Sequence, residues 1–232
     1  MSLPAGVQGQ DMTARPAVRH VIYLHGFVSS PASSKAQRFG RELAARGVGF
    51  TCPDLNQPDF ATLTTTRMLD QVRSAVAVAG DGPIALMGSS LGGFVAIHAA
   101  ALDPSGRIDR LVLLAPAVDF GGNRLRQLGE SGIAEWRQTG ELRVFHYGEN
   151  RERTVGFALY EDAARYDAYA VNLQAPALVF QGLRDDSVLP DTVERWAAPR
   201  PNVTLRLLDD DHQLGASVDL MWEESARFLG LA

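Results

Sequence analysis

The feature that most constrains the fold of this sequence is the alternation of short apolar runs with segments of helical spacing. The runs are nearly continuous in hydrophobicity, which indicates strands that are covered on both faces. Because a helical segment separates most of the successive runs, neighbouring strands are expected to be parallel. We predict an α/β fold with a mainly parallel sheet of about six strands and helices on both faces. The predicted strands are 18–24, 48–52, 84–87, 111–116, 177–181 and 203–208.

Chain length and segment spacing predict one domain with an insertion. The chain has 232 residues, and 46% of them are hydrophobic, which is enough for one sizeable core. We expect a flexible N-terminal tail at 1–17 and a single domain at 18–232. Residues 119–173 are too many for a plain connection between strands. They predict a small cap over the carboxyl edge of the sheet, with a helix at 133–138, a hairpin of strands 142–147 and 154–160, and a helix at 161–171. The alternative is an insertion that packs elsewhere on the molecule.

Charge and cysteine content narrow the possible partners and the compartment. The 22 basic residues are outnumbered by 27 acidic ones, and no basic stripe with interleaved aromatics occurs, so no nucleic-acid partner is expected. The sequence contains no stretch of 18 apolar residues, so no membrane association is expected. Its first residues do not resemble a signal peptide. Cys52 is the single cysteine and cannot form an intrachain disulfide. These features predict a cytoplasmic protein, whereas its oligomeric state cannot be inferred from the pattern.

The third predicted strand leads directly into a motif that carries chemistry. Residues 84–87 are followed by Gly88, Ser89, Ser90, Leu91 and Gly92, and a helical segment begins at once. A strand, then Gly-x-Ser-x-Gly, then a helix is the order of a nucleophile elbow, in which a sharp turn exposes the serine hydroxyl. Backbone strain of this kind costs about 1–3 kcal/mol. Ser90 is therefore the predicted nucleophile.

A serine nucleophile requires a base and an acidic group that orients the base. His212 lies between the last predicted strand and the last helix, at the expected carboxyl edge of the sheet. Asp185 and Asp186 follow the fifth strand, and either could face the histidine. Serine, aspartate and histidine then occur in the chain order that accompanies such an elbow. A metal site at His212 is not expected, because no second histidine stands at ligand spacing.

The loop after the first strand is expected to complete an oxyanion hole, which needs two backbone N–H donors. One donor should be Leu91, directly after the nucleophile, and the other should come from this loop. Gly26 permits a tight approach, and Phe27 is the expected donor. We predict that His25 braces the loop through a hydrogen bond and takes no part in proton transfer.

These motifs resemble those of the α/β-hydrolase superfamily, and more narrowly those of YqiA-type bacterial esterases. The resemblance is carried by Tyr-Leu-His-Gly-Phe at 23–27, Ser-Ser-Pro at 29–31 and Gly-Ser-Ser-Leu-Gly-Gly at 88–93. The elbow and the Asp-Asp turn at 185–186 are also similar to the palmitoyl-thioesterase and acyl-glucuronidase branch. The resemblance implies Ser90 as nucleophile, His212 as base and an aspartate at 185 or 186. Counting from Gly182, with Val188 three residues on, the usual pattern of the family selects Asp185, whereas counting back from Pro190 selects Asp186. We take Asp185 as the expected acid and Asp186 as the alternative.

The resemblance and the motifs predict a serine hydrolase that cleaves carboxylic esters or thioesters of a small or apolar acyl group. Its partner would be a small-molecule substrate, and it would require neither a cofactor nor a metal. One alternative is a non-hydrolytic enzyme of the same fold, such as a cofactor-free haloperoxidase or a lyase. Another is a catalytically silent ligand-binding protein on the same scaffold. Acidic residues outnumber arginines between 119 and 172, so net charge there gives little support to an anionic leaving group such as coenzyme A.

Overall fold

A computed structural model describes residues 16–231 of the chain, so the predicted tail lies almost wholly outside the described residues. Within them, eight strands form a large parallel sheet and a separate two-stranded hairpin. The strands are β1 His20–Leu24, β2 Gly49–Thr51, β3 Ile84–Ser89, β4 Ile108–Leu114, β5 Glu141–His146, β6 Arg151–Gly156, β7 Ala177–Gly182 and β8 Val203–Leu208.

Six of these strands pair in the order β2-β1-β3-β4-β7-β8, and every pairing is parallel. The α/β fold with a six-stranded parallel sheet is thus confirmed. The register aligns the carboxyl ends of neighbouring strands, since Leu24 pairs with Gly88, and Ser89 pairs with Leu114. The loops that follow β1, β3 and β4 therefore meet at one edge of the sheet, where open α/β sheets bind their ligands.

Helices cover both faces of the sheet because successive strand side chains point to opposite sides. On one face, Tyr23 and Met87 pack in a core with α1 and α7. On the other face, Ile22 and Leu86 pack in a core with α2 and α3. No helix among the described residues is long and apolar enough to span a membrane. The helices are α1 Ser34–Ala44, α2 Thr65–Val78, α3 Leu91–Ala101, α4 Phe120–Thr139, α5 Ala158–Ala163, α6 Pro190–Ala197 and α7 Val218–Phe228.

The segment between β4 and β7 differs from the sequence prediction in its helices. The helix expected at 133–138 is the second part of α4, which begins much earlier because Asp119 caps it through a bond to the Gly122 amide at 2.9 Å. A kink at Gly129, with φ of 68°, divides the helix. The helix expected at 161–171 is shorter and begins earlier, as α5. It ends at Ala163, after which the amides of Arg165 and Tyr166 donate to carbonyls three residues earlier, at 3.1 and 3.0 Å, as in a turn.

The predicted hairpin is present as β5 and β6, but its second strand ends sooner than expected, at Gly156. There the Phe157 amide donates to the Gly140 carbonyl at 2.9 Å, and the chain turns into α5. The tip of the hairpin contacts the loop after β1, since the Gly148 amide donates to the Val28 carbonyl at 3.3 Å. The hairpin therefore lies beside the edge of the sheet where the loops meet.

Candidate active site

Ser90 stands between β3 and α3 with a backbone conformation that is rare outside glycine, at φ of 53° and ψ of −116°. Backbone hydrogen bonds hold it there. Its amide donates to the Leu114 carbonyl at 2.9 Å, and its carbonyl accepts from Gly93 at 2.9 Å and from Ala117 at 3.1 Å. The strained turn is thus fixed by the neighbouring strand and by the first turn of the helix.

Two glycines of the elbow motif stand where no side chain would fit. A Cβ atom on Gly88 would overlap the Gly92 carbonyl, and one on Gly92 would overlap the Leu24 carbonyl at the end of β1. The elbow therefore packs directly against the backbone of β1. This contact brings the loop after β1 close to Ser90, as a Cβ on Gly26 would lie 3.4 Å from the Ser90 Cβ.

His212 reaches Ser90 from the loop that follows β8. Its Nε2 atom lies 3.1 Å from Ser90 Oγ, and its Nδ1 atom lies 2.8 Å from Asp185 Oδ2. Because a carboxylate only accepts hydrogen bonds, Nδ1 is the donor, and Nε2 is left to accept the serine proton. Asp210 holds the loop, because its two carboxylate oxygens accept from the backbone amides of Asp211 and Ser217 at 2.8 and 2.9 Å.

Asp185 is 3% exposed and is enclosed by donors. Its Oδ1 accepts from the amides of Ser187 and Val188 at 2.9 and 2.8 Å, and Gln181 donates to its Oδ2 at 2.9 Å. Burial raises the pKa of this carboxyl, but the hydrogen bonds from His212, Val188 and Gln181 outweigh burial and hold the pKa below its ordinary value. The carboxyl is therefore ionised at neutral pH.

Of the two aspartates left open by the residue pattern, the structure places only Asp185 beside His212. Asp186 is exposed, and its Oδ1 accepts a bond from the Ser187 hydroxyl at 3.3 Å. The adjacent aspartates point in different directions because Asp185 closes the turn after β7 by accepting the amides of residues 187 and 188. Ser90, His212 and Asp185 thus form a continuous hydrogen-bonded chain.

The loop after β1 is fixed by His25, as the sequence argument expects. Its Nε2 accepts from the Leu55 amide at 3.0 Å, and its Nδ1 donates to the Gly26 carbonyl at 2.9 Å. Neither Ser90 nor His212 is among the hydrogen-bond partners of the His25 ring in the described chain. Leu91 is the first residue of α3, so its backbone amide has no acceptor within the helix. No described residue accepts a hydrogen bond from the Phe27 amide.

A cavity of about 850 Å³ opens at Ser90 and His212. The loop after β1 forms one wall, with Phe27, Val28 and Ser29, and Lys35 of α1 lies beside them. The segment between β4 and β7 forms another wall, through the first half of α4 and through the hairpin. The residues from this segment are Phe120, Asn123, Arg124, Gln127, Val144, Phe145 and Tyr147.

Other candidate ligating or nucleophilic side chains lie away from this cavity. His98 is buried against Phe94 and Tyr166, and His146, the last residue of β5, packs against Phe60. Cys52 is half-buried, and burial raises the pKa of its thiol to about 12. Among residues 16–231, no group of three or more His, Cys, Asp or Glu side chains is arranged to hold a metal ion.

Sequence reasoning missed the residues that support this site. The predicted strand at 177–181 ends on Gln181 but assigns it no role, although it is fully buried and donates to Asp185. The sequence prediction gives no role to Asp210 or to Asn123. Of these three residues, only Gln181 has a feature in the sequence that could have indicated a role, since it is a polar residue at the end of a predicted buried strand.

The parallel sheet, the elbow and the edge where its loops meet define the chain as a member of the α/β-hydrolase superfamily. Within it, the chain belongs to UPF0227, an uncharacterised protein family whose pattern matches residues 20–223.

Sequence relatives include a lipase and a thioesterase. A segment of 55 residues, 24% of this chain, is 46% identical to lipase LipV of Mycobacterium tuberculosis but spans only 21% of that protein. The chain is 24% identical over 212 residues to the mitochondrial palmitoyl-protein thioesterase ABHD10 of Bos taurus, covering 86% of this chain and 69% of that one.

Solved structures share the fold. A protein of Agrobacterium vitis S4 classed among the hydrolases superposes with a TM-score of 0.80 at 23% identity, covering 92% of this chain and 91% of that one. Mouse ABHD10 superposes with a TM-score of 0.76 at 22% identity, covering 91% and 89%.

Proposed function

We propose that this protein is a serine hydrolase that cleaves carboxylic esters or thioesters through an acyl-enzyme intermediate. The observation that carries the proposal is the chain of hydrogen bonds from Ser90 through His212 to Asp185, of which Ser90 and His212 line a cavity of about 850 Å³. A serine hydroxyl, a histidine that can accept its proton and a buried carboxylate that orients the histidine are the parts that acyl transfer requires. The names of the related lipase and thioesterase agree with this chemistry.

In the first step, His212 takes the Ser90 proton on Nε2 while Ser90 Oγ attacks the acyl carbon. Asp185 stabilises the imidazolium that forms, and its bond to Nδ1 keeps the ring in the productive tautomer. The carbonyl oxygen becomes an oxyanion, which the amides of Leu91 and Phe27 would bind. Loss of one such donor typically lowers the rate by about 100- to 1,000-fold.

In the second step, His212 returns the proton to the leaving alcohol or thiol, and an acyl-enzyme remains on Ser90 Oγ. Water then enters, His212 takes one of its protons, and the hydroxide attacks the acyl carbon. The acid leaves, and Ser90 recovers its proton. The sequence requires no cofactor or metal, because the charges that develop are stabilised by backbone amides and by Asp185.

The cavity walls support an apolar substrate group. Phe27, Phe120, Val144 and Phe145 line the space beside Ser90, and they supply the aromatic and aliphatic surface that an acyl chain would contact. A thioester substrate is supported by the name of the ABHD10 relative, and a simple ester by that of LipV. The substrate is a small molecule in this proposal, and a cytoplasmic location stays a prediction.

Labelling with a fluorophosphonate probe tests the proposal directly, since only an activated serine reacts. We expect one label per chain in the wild-type protein and none in Ser90→Ala. Ser74→Ala, which removes an exposed hydroxyl on α2, is the matched control and should label fully. Ser90→Ala should also lower kcat by about a million-fold, as in other serine triads.

A chain-length series of nitrophenyl esters, run beside the matching acyl thioesters, would identify the preferred bond and acyl group. Peroxide-dependent halogenation, measured in the same samples, separates hydrolysis from haloperoxidase chemistry. A protein that labels in the Ser90→Ala variant, or that hydrolyses none of these acyl compounds, would contradict the proposal.

A further inference from the structure

Two neighbouring residues that line the cavity each carry a buried N–H donor with no acceptor among the described residues. The donors are Nδ2 of Asn123 and Nε of Arg124, adjacent residues on α4. A buried donor left without a partner costs about 1–3 kcal/mol. Because Asn123 and Arg124 line the same cavity as Ser90, a ligand in that cavity is a candidate for the missing acceptor.

The position of these donors follows from the geometry of α4. Phe120, Asn123, Arg124 and Gln127 have the spacing i, i+3, i+4 and i+7, which places them on one face of a helix. All four line the cavity, so this face of the first half of α4 is turned toward the proposed substrate. Asn123 is 4% exposed and therefore has almost no access to solvent as an alternative partner.

The orientation of the Asn123 amide is fixed by a neighbouring arginine. Arg126 donates to Asn123 Oδ1 at 3.2 Å and, through its other nitrogen, to the Ser187 carbonyl at 2.8 Å. Exchanging the amide oxygen and nitrogen would set two donors against each other, so Nδ2 is the free end of the amide. The Ser187 contact also connects this wall of the cavity to the turn that contains Asp185.

Arg124 carries a charge that no described carboxylate balances. Its guanidinium stacks on the rings of Phe27 at 4.5 Å and Phe120 at 5.1 Å, and it donates to Gln127 Oε1 at 2.9 Å. Burial among these groups lowers the pKa of Arg124 to about 10, with no acidic neighbour acting against the shift. None of the described residues that line the cavity is an aspartate or a glutamate.

Lys35, the other cation that lines the cavity, is in a different situation. Its Nζ donates to the Gln213 carbonyl at 2.6 Å, and the carboxylates of Asp210 and Asp211 act on it electrostatically. The charge of Lys35 is therefore already accompanied by acids within the protein. Arg124 is the cation in this wall whose electrostatic partner is missing.

We propose that Arg124 and Asn123 bind a carboxylate of the substrate, so that the enzyme prefers acyl compounds that carry a free acid group in addition to the bond that is cleaved. This inference rests on the proposed function and deepens it. The two oxygens of a carboxylate match the guanidinium edge and the amide donor, and such charge-assisted bonds are about twice as strong as neutral ones. The acid group can belong to the acyl part or to the leaving group.

Two pairs of esters distinguish these two sources. The acyl pair is 4-nitrophenyl hydrogen glutarate and 4-nitrophenyl 4-carbamoylbutanoate, and the leaving-group pair is 4-carboxyphenyl butyrate and 4-carbamoylphenyl butyrate. Within each pair, a carboxylate is replaced by a neutral amide of similar shape. We expect kcat/KM of the wild-type enzyme to favour the acid by about 10-fold or more in one pair. The pair that shows the preference identifies the side of the substrate.

Variants then assign the preference to Arg124. Arg124→Met should bring the acid-to-amide ratio of kcat/KM close to one, and Arg124→Lys should keep part of it. The ratio is the readout because Arg124 packs on Phe27, and its loss affects both members of a pair. Arg137→Met is the matched control. Arg137 is an exposed arginine on the same helix, stacked on Phe157 at 5.2 Å, and its loss should leave the ratio at the wild-type value.

A binding measurement keeps this test independent of turnover. Calorimetric titration of Ser90→Ala with N-(4-nitrophenyl)glutaramic acid, and with its primary amide, compares the same two groups without hydrolysis. The leaving-group arm uses 4-butanamidobenzoic acid and 4-butanamidobenzamide. Tighter binding of the acid in either arm, lost in Ser90→Ala/Arg124→Met, supports the carboxylate site. Equal binding of acid and amide in both arms overturns it, even if the wild type hydrolyses every ester. Absence of turnover with the acid preference retained would instead contradict the proposed function.

Discussion

The backbone amide of Leu55 donates to Nε2 of His25 at a distance of 3.0 Å, and this bond connects the loop after β2 to the loop after β1. The other ring nitrogen of His25 donates to the Gly26 carbonyl, so the histidine spans the two loops. Because Phe27 follows these residues directly, we expect His25 to position one of the two proposed oxyanion donors, although it lies outside the proposed proton-transfer chain.

Replacing His25 by alanine should damage both stability and catalysis. The change leaves the Leu55 amide buried without an acceptor, which should lower the free energy of unfolding by about 1–3 kcal/mol. It also releases the Phe27 loop, and a misplaced donor should lower kcat by about 100-fold. Urea unfolding and steady-state kinetics with a nitrophenyl ester measure the two effects. A variant with wild-type kcat would contradict the role of His25 in positioning the loop.

The two neighbouring aspartates provide a matched pair of variants. Asp185→Asn should lower kcat by about ten thousand-fold, because an amide no longer holds His212 in the required tautomer. Asp186→Asn removes the same charge one residue away, at an exposed side chain, and should change kcat by less than about threefold. Nitrophenyl ester hydrolysis by both variants gives the comparison. Equal losses would show that Asp185 acts only through the net charge of the loop.

The hydrogen bonds around Asp185 predict a pH-dependent contribution to stability. Its pKa is lower in the folded protein than in the unfolded chain, so the unfolded state binds the proton first as the pH falls. The stabilisation is fully present above the ordinary aspartate pKa of about 4 and is lost as the pH falls through the lower folded value.

Urea unfolding of the wild-type protein and of Asp185→Asn across this range tests the sign. The difference in their free energies of unfolding should be constant from about pH 7 to pH 5 and should shrink below about pH 4. A difference that grows on acidification would mean that burial, which raises the pKa, outweighs the hydrogen bonds.

Gly92→Ala should disrupt the elbow, because its Cβ would overlap the Leu24 carbonyl. Rigid backbone cannot yield as a side chain would, so we expect a loss of at least about 1–3 kcal/mol of stability together with most of the activity. Gly121→Ala is the control, since a Cβ there meets nothing within 4 Å. It lies in α4 and should raise the melting temperature slightly, as helical Gly→Ala changes do at about 0.4–1 kcal/mol. Calorimetry on both variants decides between a local clash and a general intolerance of added methyl groups.

The sequence by itself predicts the six parallel strands, because a strand that is covered on both faces must be apolar along its whole length. It also indicates Ser90 and His212 as candidates, since each follows such a strand and the carboxyl ends of parallel strands meet at one edge. The sequence pattern did not predict the residues at which α4 and α5 begin and end. These limits depend on the Asp119 cap and on the turn after Ala163, in which amides bond to carbonyls three residues earlier.

Only the tertiary structure shows which of the two adjacent aspartates faces His212. Side chains of neighbouring residues in a turn point in different directions, and the local sequence pattern does not specify those directions. The order of the strands in the sheet and the surroundings of the Arg124 side chain also depend on the tertiary structure. Net charge averages the whole segment between β4 and β7, in which acids outnumber arginines, whereas the energy of a buried charge depends on what lies within a few ångströms. Composition therefore gave little support to an anion site, whereas the proposed site depends on the local setting of one face of a packed helix.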